Sequence, residues 1–343
     1  MARSDSTFSH DPQQEPALRA AIDAVMQGVA ACRRVRGQHV TAISKDDRSP
    51  VTVADFASQA LILRHLASLT REQGAAPLLV VAEEEADVLS RHEAQLAAVV
   101  DAVRPDWPDA TPDAVLQALA AGTRPADGEP FWTLDPVDGT KGFLRNEQYA
   151  VALAFIAGGV PQLAVLGCPN LRHEADDDAV RSPHGLITYA VAGAGAFELR
   201  DGSPAHALRL PLAPSRPDRK AVRVCLSVES GHSNTSRIDD ILARLGRPHE
   251  PVRMDSQCKY AAVARGQADV YVRAASGSTY SEWIWDHAAG ALIATEAGCV
   301  VSDLDGRALD FSLGPRLTGN TGIVCAPGWL HPLVLAAAGS RPA

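Results

Sequence analysis

The residues best suited to chemistry in this sequence are carboxylates that stand where a predicted strand ends or a predicted helix begins. In the segment 132–142 an apolar strand leads to Asp135, Pro136 restricts the backbone and Gly139 permits a sharp turn, so Asp138 returns close to Asp135. Two or three such oxygen donors suffice for a Mg²⁺ ion, which keeps several of its waters. Taken alone, the same pattern is also typical of a capped turn that binds nothing.

Three further segments contribute acidic residues of the same kind. A short buried strand predicted over 78–82 is followed by Glu83 and two more glutamates, and buried acids are costly unless they face water or a cation. Asp55 lies in the first turn of a predicted helix, and Asp286 opens an Ala-rich one, where a negative charge is favourable without any ligand. Each segment alone therefore fits a solvated strand end or a helix cap as well as a metal ligand.

The composition limits the classes of protein to which the chain can belong. With 343 residues, 46% of them hydrophobic, it is long enough for two packed lobes. A formal net charge of −9 argues against a nucleic-acid partner, which needs a basic surface. No apolar run approaches the ~20 residues of a membrane span, and the start lacks the apolar core of a secretory signal. Six cysteines without a C-x-x-C pair favour buried thiols over a zinc site. We therefore expect a cytoplasmic protein with no membrane partner.

Hydrophobic periodicity predicts the elements that must position these acids. Helices are predicted over 16–35 and 53–69 and, around a proline-rich turn, over 86–102 and 112–121. Apolar runs then alternate with Gly and Pro turns as in an antiparallel meander, with strands at 131–134, 149–157, 162–166, 186–192 and 195–199. Beyond residue 221 the pattern predicts strands at 222–228, 269–272, 299–302 and 322–326, and helices at 235–245, 256–265, 286–297 and the C-terminus.

The same pattern predicts the domain organisation. Residues 1–15 are polar and are expected to form a disordered tail. An α+β lobe is expected over 16–212 and carries most of the acidic residues, and a smaller α/β lobe over 213–343 carries Asp286. The stretch 210–221, rich in proline and charge, is the best candidate for the linker between them.

Taken together, the four acidic segments resemble the inositol monophosphatase superfamily of Mg²⁺-dependent, lithium-sensitive phosphatases. In that family G/A-E-E, D-P-[IVL]-D-G-T and W-D-x-A-A-G segments build one metal site, and this sequence has AEE at 82–84, DPVDGT at 135–140 and WDHAAG at 285–290. The resemblance covers residues from about 16 to about 335. It implies an α/β (α+β) layered sandwich of the inositol monophosphatase/fructose-1,6-bisphosphatase type, with a mainly antiparallel N-terminal sheet, a smaller mixed C-terminal sheet and the site at their junction.

Within the superfamily the likeness is to the 3′(2′),5′-bisphosphate nucleotidase branch, on the segments SPVTVAD (49–55), DGTKGFLR (138–145), QYAVALA (148–154) and MDSQCKY (254–260). This likeness implies hydrolysis of the 3′-phosphate of adenosine 3′,5′-bisphosphate, and of 3′-phosphoadenylyl sulfate as a further substrate. Residue chemistry alone does not choose a nucleotide over a sugar. An inositol phosphate or histidinol phosphate phosphatase is therefore the first alternative, and a non-catalytic phosphate-binding or regulatory protein is the second.

The resemblance also implies the metal ligands. The implied cofactor is Mg²⁺, two or three ions per site, held by the carboxylates of Glu83, Asp135, Asp138 and Asp286 and by the carbonyl of Val137. Asp55 and Glu83 are implied for a third, more weakly bound ion. We hypothesise that Thr140, hydrogen-bonded to Asp55, orients or deprotonates the attacking water.

Contacts to the substrate follow from the resemblance as well. The N–H groups of Gly139 and Thr140 are expected to hold the phosphate at a helix start. Ser256 is expected to cap a helix that runs from about 257, with Lys259 one turn in, which suits the retained 5′-phosphate. Other family positions near the nucleotide are His232, Asp255 and Arg273. For His232 and Arg273 a surface turn and a strand-end charge stay open as alternatives. The expected partner is a small phosphorylated molecule, namely a nucleotide bisphosphate.

Overall fold

The computed structural model describes residues 9, 11, 15–36, 42–44, 50–72, 79–122, 128–171, 185–199, 203–211, 215–228, 234–274 and 280–339. Two long helices come first, α1 (Pro16–Arg36) and α2 (Val53–Glu72), and the short antiparallel strands β1 (Ala42–Ser44) and β2 (Pro50–Thr52) lie between them in the chain. Helix α1 buries residues at helical spacing, which is the reason that its sequence pattern predicted it: Leu18, Ile22, Val25 and Val29. The predicted tail and His232 lie largely or wholly outside the described residues.

Three short helices follow β3 (Val80–Ala82): α3 (Ala86–Ser90), α4 (Glu93–Val103) and α5 (Pro112–Ala120). The single helix predicted over 86–102 is wrong, because His92 leaves the helical region with φ −127° and ψ 79°. This break lets Leu89 of α3 and Val99 of α4 enter the same apolar cluster. Helix α5 begins where the sequence predicts, with the Thr111 hydroxyl accepting a hydrogen bond from the N–H of Ala114.

The larger sheet has seven strands and contains the predicted meander. Its order is β3-β4-β5-β6-β7-β8-β9, where the strands after β3 are β4 (Phe131–Asp138), β5 (Ala150–Ala157), β6 (Val160–Cys168), β7 (Leu186–Val191), β8 (Gly195–Leu199) and β9 (Leu208–Arg209). Strand β3 pairs with β4 in parallel, and every other neighbouring pair is antiparallel. A short helix, α6 (Thr140–Leu144), follows β4 directly.

The smaller sheet has five strands and mixed pairing. Its order is β11-β10-β12-β14-β13, with β10 (Val222–Leu226), β11 (His249–Arg253), β12 (Val270–Arg273), β13 (Cys299–Ser302) and β14 (Ile323–Pro327). Strand β10 is parallel to β11 and β12, whereas β14 is antiparallel to β12 and β13. The sequence did not predict β11, because this edge strand is mostly exposed and carries no apolar alternation.

Four helices accompany the smaller sheet, α7 (Thr235–Leu245), α8 (Cys258–Arg265), α9 (Ala288–Glu296) and α10 (His331–Ala338). Helices α8 and α9 pack so closely that a Cβ at Gly290 would lie 2.3 Å from the Tyr260 ring. A side chain at position 290 would therefore force the two helices apart. Among the described residues, no helix combines the length and the apolar character that crossing a bilayer requires.

The elements stack as a layered α/β sandwich. Alternate residues of β5 face opposite sides, so Leu153 packs with α1 and α2 while Ala152 packs with α8 and α9. Beyond α8 and α9 lies the smaller sheet, whose Tyr271 joins the same cluster. The other face of that sheet, including Val272, packs against α7 and α10. The expected fold class is confirmed, with helices on both outer faces and two helices between the sheets.

Candidate active site

A bulge at the end of β4 brings the first two predicted metal ligands together. In a regular strand, residues three apart point to opposite faces. The pairing of β4 with β5 shifts register between Asp135 and Asp138, and both residues line one cavity. The N–H of Val137 donates to Asp135 Oδ1 at 3.1 Å, which fixes the carboxylate on this tight segment.

Two other elements deliver Asp286 and Glu83 to the same place. Asp286 lies in the turn just before α9, and one carboxylate oxygen each of Asp135, Asp138 and Asp286 fall within 4.8 Å of one another. Glu83 follows β3, the parallel neighbour of β4, and its side chain is hydrogen-bonded to that of Asp135. Segments far apart in sequence therefore converge on one cluster of carboxylates.

The cluster holds more negative charge than its surroundings offset. Burial raises the pKa of Asp135, and repulsion from Glu83, Asp138 and Asp286 raises it further. Burial likewise raises the pKa of Asp286, with Asp138 as the next cause. The pKa of Asp138 is raised to about 6 by burial, although Lys259 acts in the opposite direction. An all-oxygen donor set with unbalanced charge fits a hard divalent cation.

Asp55 and Thr140 form a second, adjoining arrangement. The Asp55 carboxylate is fully buried and accepts hydrogen bonds from the N–H and the hydroxyl of Thr52 at 2.8 and 2.6 Å. Thr140 Oγ1 lies 3.2 Å from both Asp55 Oδ1 and the carbonyl oxygen of Val137. The expected contact between Thr140 and Asp55 is therefore present, and the cavity is lined by Thr140.

The cavity has a volume of about 430 Å³ and lies between the ends of the two sheets. Its lining includes eleven of the residues predicted for the site: Glu83, Asp135, Val137, Asp138, Gly139, Thr140, Asp255, Ser256, Lys259, Arg273 and Asp286. Asp55 lies behind Thr140, and His232 falls outside the described residues.

The N-terminus of α8 differs in detail from the prediction. The helix begins at Cys258, so its cap residue is Gln257 and not Ser256. Ser256 adopts a left-handed backbone with φ 67°, and its hydroxyl accepts the N–H of Cys258 at 3.2 Å. Because the left-handed Ser256 turns the backbone before the helix begins, the N–H of Gln257 points at Asp138 and donates to its Oδ2 at 2.5 Å.

Three charged residues predicted to bind substrate, Lys259, Arg273 and Asp255, also line the cavity. Lys259 is 3% exposed, and burial lowers its pKa although Asp138 counteracts this effect. Arg273 is engaged by Glu282, with Nε donating at 2.8 Å. Asp255 accepts from Arg145 at 2.5 Å, so its carboxylate is already paired where it lines the cavity.

Sequence reasoning missed several residues that build the site. Gln257 connects segments with both ends of its side chain, donating to the carbonyl of Trp285 at 2.8 Å and accepting the N–H of Gly290 at 2.9 Å. An aromatic wall formed by Tyr280, Trp283 and Trp285 also lines the cavity. Two of these residues had a sequence signal: Gln257 lies in the MDSQCKY segment (254–260), and Trp285 stands next to Asp286 in the WDHAAG segment.

Comparison with known proteins gives results that agree with this geometry. A model described as "Inositol monophosphatase family" matches residues 13–342. A 3′(2′),5′-bisphosphate nucleotidase of Schizosaccharomyces pombe is 37% identical over 300 residues, covering 83% of this chain and 82% of that protein. A probable 3′(2′),5′-bisphosphate nucleotidase 4 of Arabidopsis thaliana is 39% identical over 306 residues, covering 86% and 85%.

Solved structures show a similar fold at lower identity. An IMPase of Thermotoga maritima superimposes with a TM-score of 0.64 at 17% identity, covering 94% of this chain and 97% of that one. CysQ from Bacteroides thetaiotaomicron, described as a bacterial member of the inositol monophosphatase family, gives a TM-score of 0.59 at 21% identity, covering 91% and 97%. At this level of identity the likeness establishes the fold alone.

Proposed function

Because the chain belongs to the inositol monophosphatase family, we propose that it is a metal-dependent phosphatase that hydrolyses the 3′-phosphate of adenosine 3′,5′-bisphosphate, giving AMP and phosphate. The convergence of Asp135, Asp138 and Asp286 in a cavity that is also lined by Lys259 and Arg273 carries this proposal. In such a cavity the carboxylates can hold cations that bind the phosphate to be cleaved. The side chains of Lys259 and Arg273 can bind a second anionic group. The names of the relatives support a nucleotide bisphosphate as the substrate.

We propose that the cations are Mg²⁺, because the available donors are all oxygen atoms. Glu83, Asp135 and the carbonyl of Val137 would hold one ion, and Asp135, Asp138 and Asp286 a second. A third, weaker position would involve Glu83 and Asp55. Divalent cations at such a site offset charge on phosphoryl oxygens and lower the pKa of water, which is the chemistry that phosphate-ester hydrolysis needs.

The protein's own groups would position the attacking water. Asp55 is held by two hydrogen bonds from Thr52, so its remaining oxygen is fixed to accept the Thr140 hydroxyl hydrogen. With that hydrogen directed at Asp55, a lone pair of Thr140 Oγ1 is available to accept a hydrogen bond from water in the cavity. Thr140 therefore orients the water. Because Asp55 lies behind Thr140, a displaced proton would reach it through the hydroxyl: Thr140 Oγ1 accepts the proton of the water as its own hydrogen moves to Asp55 Oδ1.

Other groups of the cavity would hold the substrate. We propose that the N–H groups of Gly139 and Thr140 contact the phosphate that is cleaved. Lys259 and Arg273 would attract the retained 5′-phosphate, and both side chains are fixed by neighbours: Lys259 Nζ lies 3.4 Å from the carbonyl of Met254, and Arg273 binds Glu282. Fixed cations lose little freedom when an anion arrives. Asp255, Ser256 and His232 are proposed as further nucleotide contacts.

Parallel phosphate-release assays test this function. Adenosine 3′,5′-bisphosphate, 3′-phosphoadenylyl sulfate, inositol 1-phosphate and histidinol phosphate would each be supplied with Mg²⁺ and, separately, with EDTA. We expect Mg²⁺-dependent turnover, with kcat/KM for the nucleotide bisphosphate about 10²-fold above that for inositol 1-phosphate. A preference for inositol 1-phosphate would favour the sugar phosphatase. Nucleotide binding without turnover of any compound would favour a regulatory protein.

The setting of the reaction is proposed from the same residues. All six cysteines are free thiols, and five of them are buried: Cys32, Cys168, Cys225, Cys258 and Cys325. Free thiols persist in a reducing compartment. We therefore propose that the protein acts in the cytoplasm on a small dissolved metabolite.

A further inference from the structure

The segment 280–287 supplies four residues of the cavity lining although it has little regular secondary structure of its own. Tyr280, Trp283, Trp285 and Asp286 all line the cavity. Yet the segment belongs to neither sheet, and its backbone consists of one isolated bridge and the turn that leads into α9. The position of Asp286 therefore depends on contacts that other parts of the chain make with this segment.

Residues 315–317 supply such contacts through the backbone. The N–H of Ile284 donates to a carbonyl of this stretch at 3.1 Å, and the carbonyl of Glu282 accepts an N–H from it at 2.8 Å. Between these two hydrogen bonds, Trp283 and Arg316 form an isolated antiparallel bridge. The two stretches thus run side by side for three residues, directly before Asp286.

The side chain of Arg316 adds two further contacts. Its Nη1 donates to the carbonyl of Ser281 at 2.7 Å. Its guanidinium carbon lies 3.3 Å from the ring centre of Trp283, while the ring centre of Trp285 lies 4.3 Å from that of Trp283 with the planes 13° apart. Two groups this close to one ring centre would collide on the same face. Trp283 is therefore sandwiched between Arg316 and Trp285, and neither face of Trp283 is open to a ligand.

The loop that carries Arg316 is itself fixed. Asp303 is fully buried, and its Oδ2 accepts a hydrogen bond from Asn320 Nδ2 at 3.2 Å. The same amide nitrogen donates to the carbonyl of Ala308 at 2.9 Å. These bonds join the beginning, middle and end of the loop 303–320, so Arg316 is presented from an ordered support.

We propose that Arg316 is a positioning residue of the site, which holds Trp283 and Trp285 in place and, through them, the Asp286 carboxylate. Arg316 itself lies outside the cavity lining. A cation–π contact of this kind changes an equilibrium by roughly 2- to 30-fold, and a displacement of about 1 Å at reacting groups can lower a rate by about 10²-fold. The proposal rests on the proposed function in one respect, namely that Asp286 binds a divalent cation.

Substitutions of Arg316 test this role with Mn²⁺ as the probe ion. Mn²⁺ binding to the full-length protein would be measured by calorimetric titration without substrate, together with tryptophan emission, kcat and KM. For Arg316→Ala we expect the Mn²⁺ dissociation constant to rise about tenfold, the tryptophan emission to shift, and kcat to fall more than KM changes. Arg316→Gln, which keeps a donor, should lie between Ala and wild type, and Arg316→Lys, which also keeps the charge, should recover most of the affinity.

Arg307→Ala is the matched control, because Arg307 lies on the same loop with a side chain that is 67% exposed. It should leave Mn²⁺ affinity and tryptophan emission unchanged. A folded Arg316→Ala protein with wild-type Mn²⁺ affinity and wild-type kcat would overturn the proposal. If that variant does not fold, equal Mn²⁺ affinity in wild type, Arg316→Gln and Arg316→Lys would overturn it instead.

The Mn²⁺ measurement also separates this proposal from the proposed function. If wild type binds Mn²⁺ but releases no phosphate from the nucleotide, the function is wrong, whereas a loss of affinity in Arg316→Ala still supports the positioning role. If wild type binds no Mn²⁺, both proposals are wrong.

Discussion

Two groups of buried carboxylates in this protein differ in the charges that surround them. In the cavity, Asp135, Asp138 and Asp286 face one another, and burial together with repulsion from neighbouring carboxylates, Glu83 included, raises the pKa of each. Just before β12, the buried Asp269 has the opposite shift, because hydrogen bonds from Arg223 and Ser215 outweigh burial and lower its pKa. Folding therefore stabilises the ionised form of Asp269, whereas it destabilises the ionised forms of the three cavity acids.

The comparison separates structural acids from acids available for a ligand. Asp269 gains its partner when the chain folds, so its charge contributes to stability. The ionised cavity acids lower stability until their charge is offset, either by protonation or by a bound cation. Glu282 shows how local this difference is. It lies four residues before Asp286, but Arg273 and His287 outweigh the effect of burial and lower its pKa to about 2.

The largest effect on activity is expected from Asp135→Asn. Asp135 is the ligand proposed to be shared by both cations, so kcat/KM should fall by about 10³-fold or more. In EDTA the same variant should be at least as stable as wild type, because the substitution relieves repulsion in the cluster. Steady-state kinetics and thermal unfolding in EDTA measure the two quantities. Near-normal turnover would contradict the assignment of the ligands.

In contrast to Asp135→Asn, Asp269→Asn should lower the stability of the protein and leave its activity nearly unchanged. The substitution removes the negative charge of residue 269 and leaves the half-buried Arg223 without a counter-charge, so the free energy of unfolding should fall by about 3 kcal/mol. Because Asp269 does not line the cavity, kcat should stay within about twofold of wild type. Urea denaturation gives the stability, and a kcat that falls as much as in Asp135→Asn would erase the distinction between the two groups.

Thr140→Ala tests a residue of the cavity that carries no charge. Removing the hydroxyl that orients the water should lower kcat by about 10²-fold, with KM and the melting temperature little changed. Thr140→Ser keeps a hydroxyl next to Asp55 and should restore most of the rate. Equal kcat in the alanine and serine variants would show that the hydroxyl has no part in the reaction.

The smallest effect is the pH dependence of stability in the metal-free protein. Because the pKa of Asp138 is raised from 3.8 to about 6, folding favours its protonated form. Its contribution to stability is present below pH 4 and is lost as the pH rises through 6. Burial lowers the pKa of His287 and of His331, which acts in the opposite direction over the same range, so Asp138→Asn is the reference. Between pH 5 and pH 7 in EDTA, the melting temperature of wild type should fall by a few degrees relative to that of Asp138→Asn.

Added Mg²⁺ should raise that melting temperature more at pH 7 than at pH 5, because the ionised cluster binds the cation more tightly. The same scan without EDTA and with saturating Mg²⁺ is the control. Equal pH dependence of the melting temperature in metal-free wild type and Asp138→Asn would contradict the raised pKa.

Much of the candidate site could be predicted from the sequence, because the type of a side chain and its spacing from nearby acids are enough to recognise a candidate metal ligand. The segments around Asp135, Glu83 and Asp286 were identified as acid-bearing from a few residues each, and the resemblance then joined them into one site. Helices α1 and α5 were predicted for a similar reason, since the periodicity of apolar residues is a local property.

Local sequence patterns did not predict the backbone conformation where it depends on packing between elements. The break at His92 follows from two helices sharing one apolar cluster. Strand β11 exists because an exposed segment pairs with the edge of β10, which needs no apolar pattern of its own. The turn before α8 placed the cap one residue later than Ser256 and directed the Gln257 N–H to Asp138, which is 119 residues earlier in the chain.

The sequence by itself thus determined which acidic residues are candidate cation ligands and where most of the helices and strands lie. Only the tertiary structure decided that the bulge in β4 aims Asp135 and Asp138 at one cavity, that Gln257 joins three segments there, and that Arg316 supports the tryptophans beside Asp286. The physical reason is distance along the chain. A residue's type and its near neighbours fix its chemistry and local conformation, whereas contacts between remote residues exist only after the layers have packed.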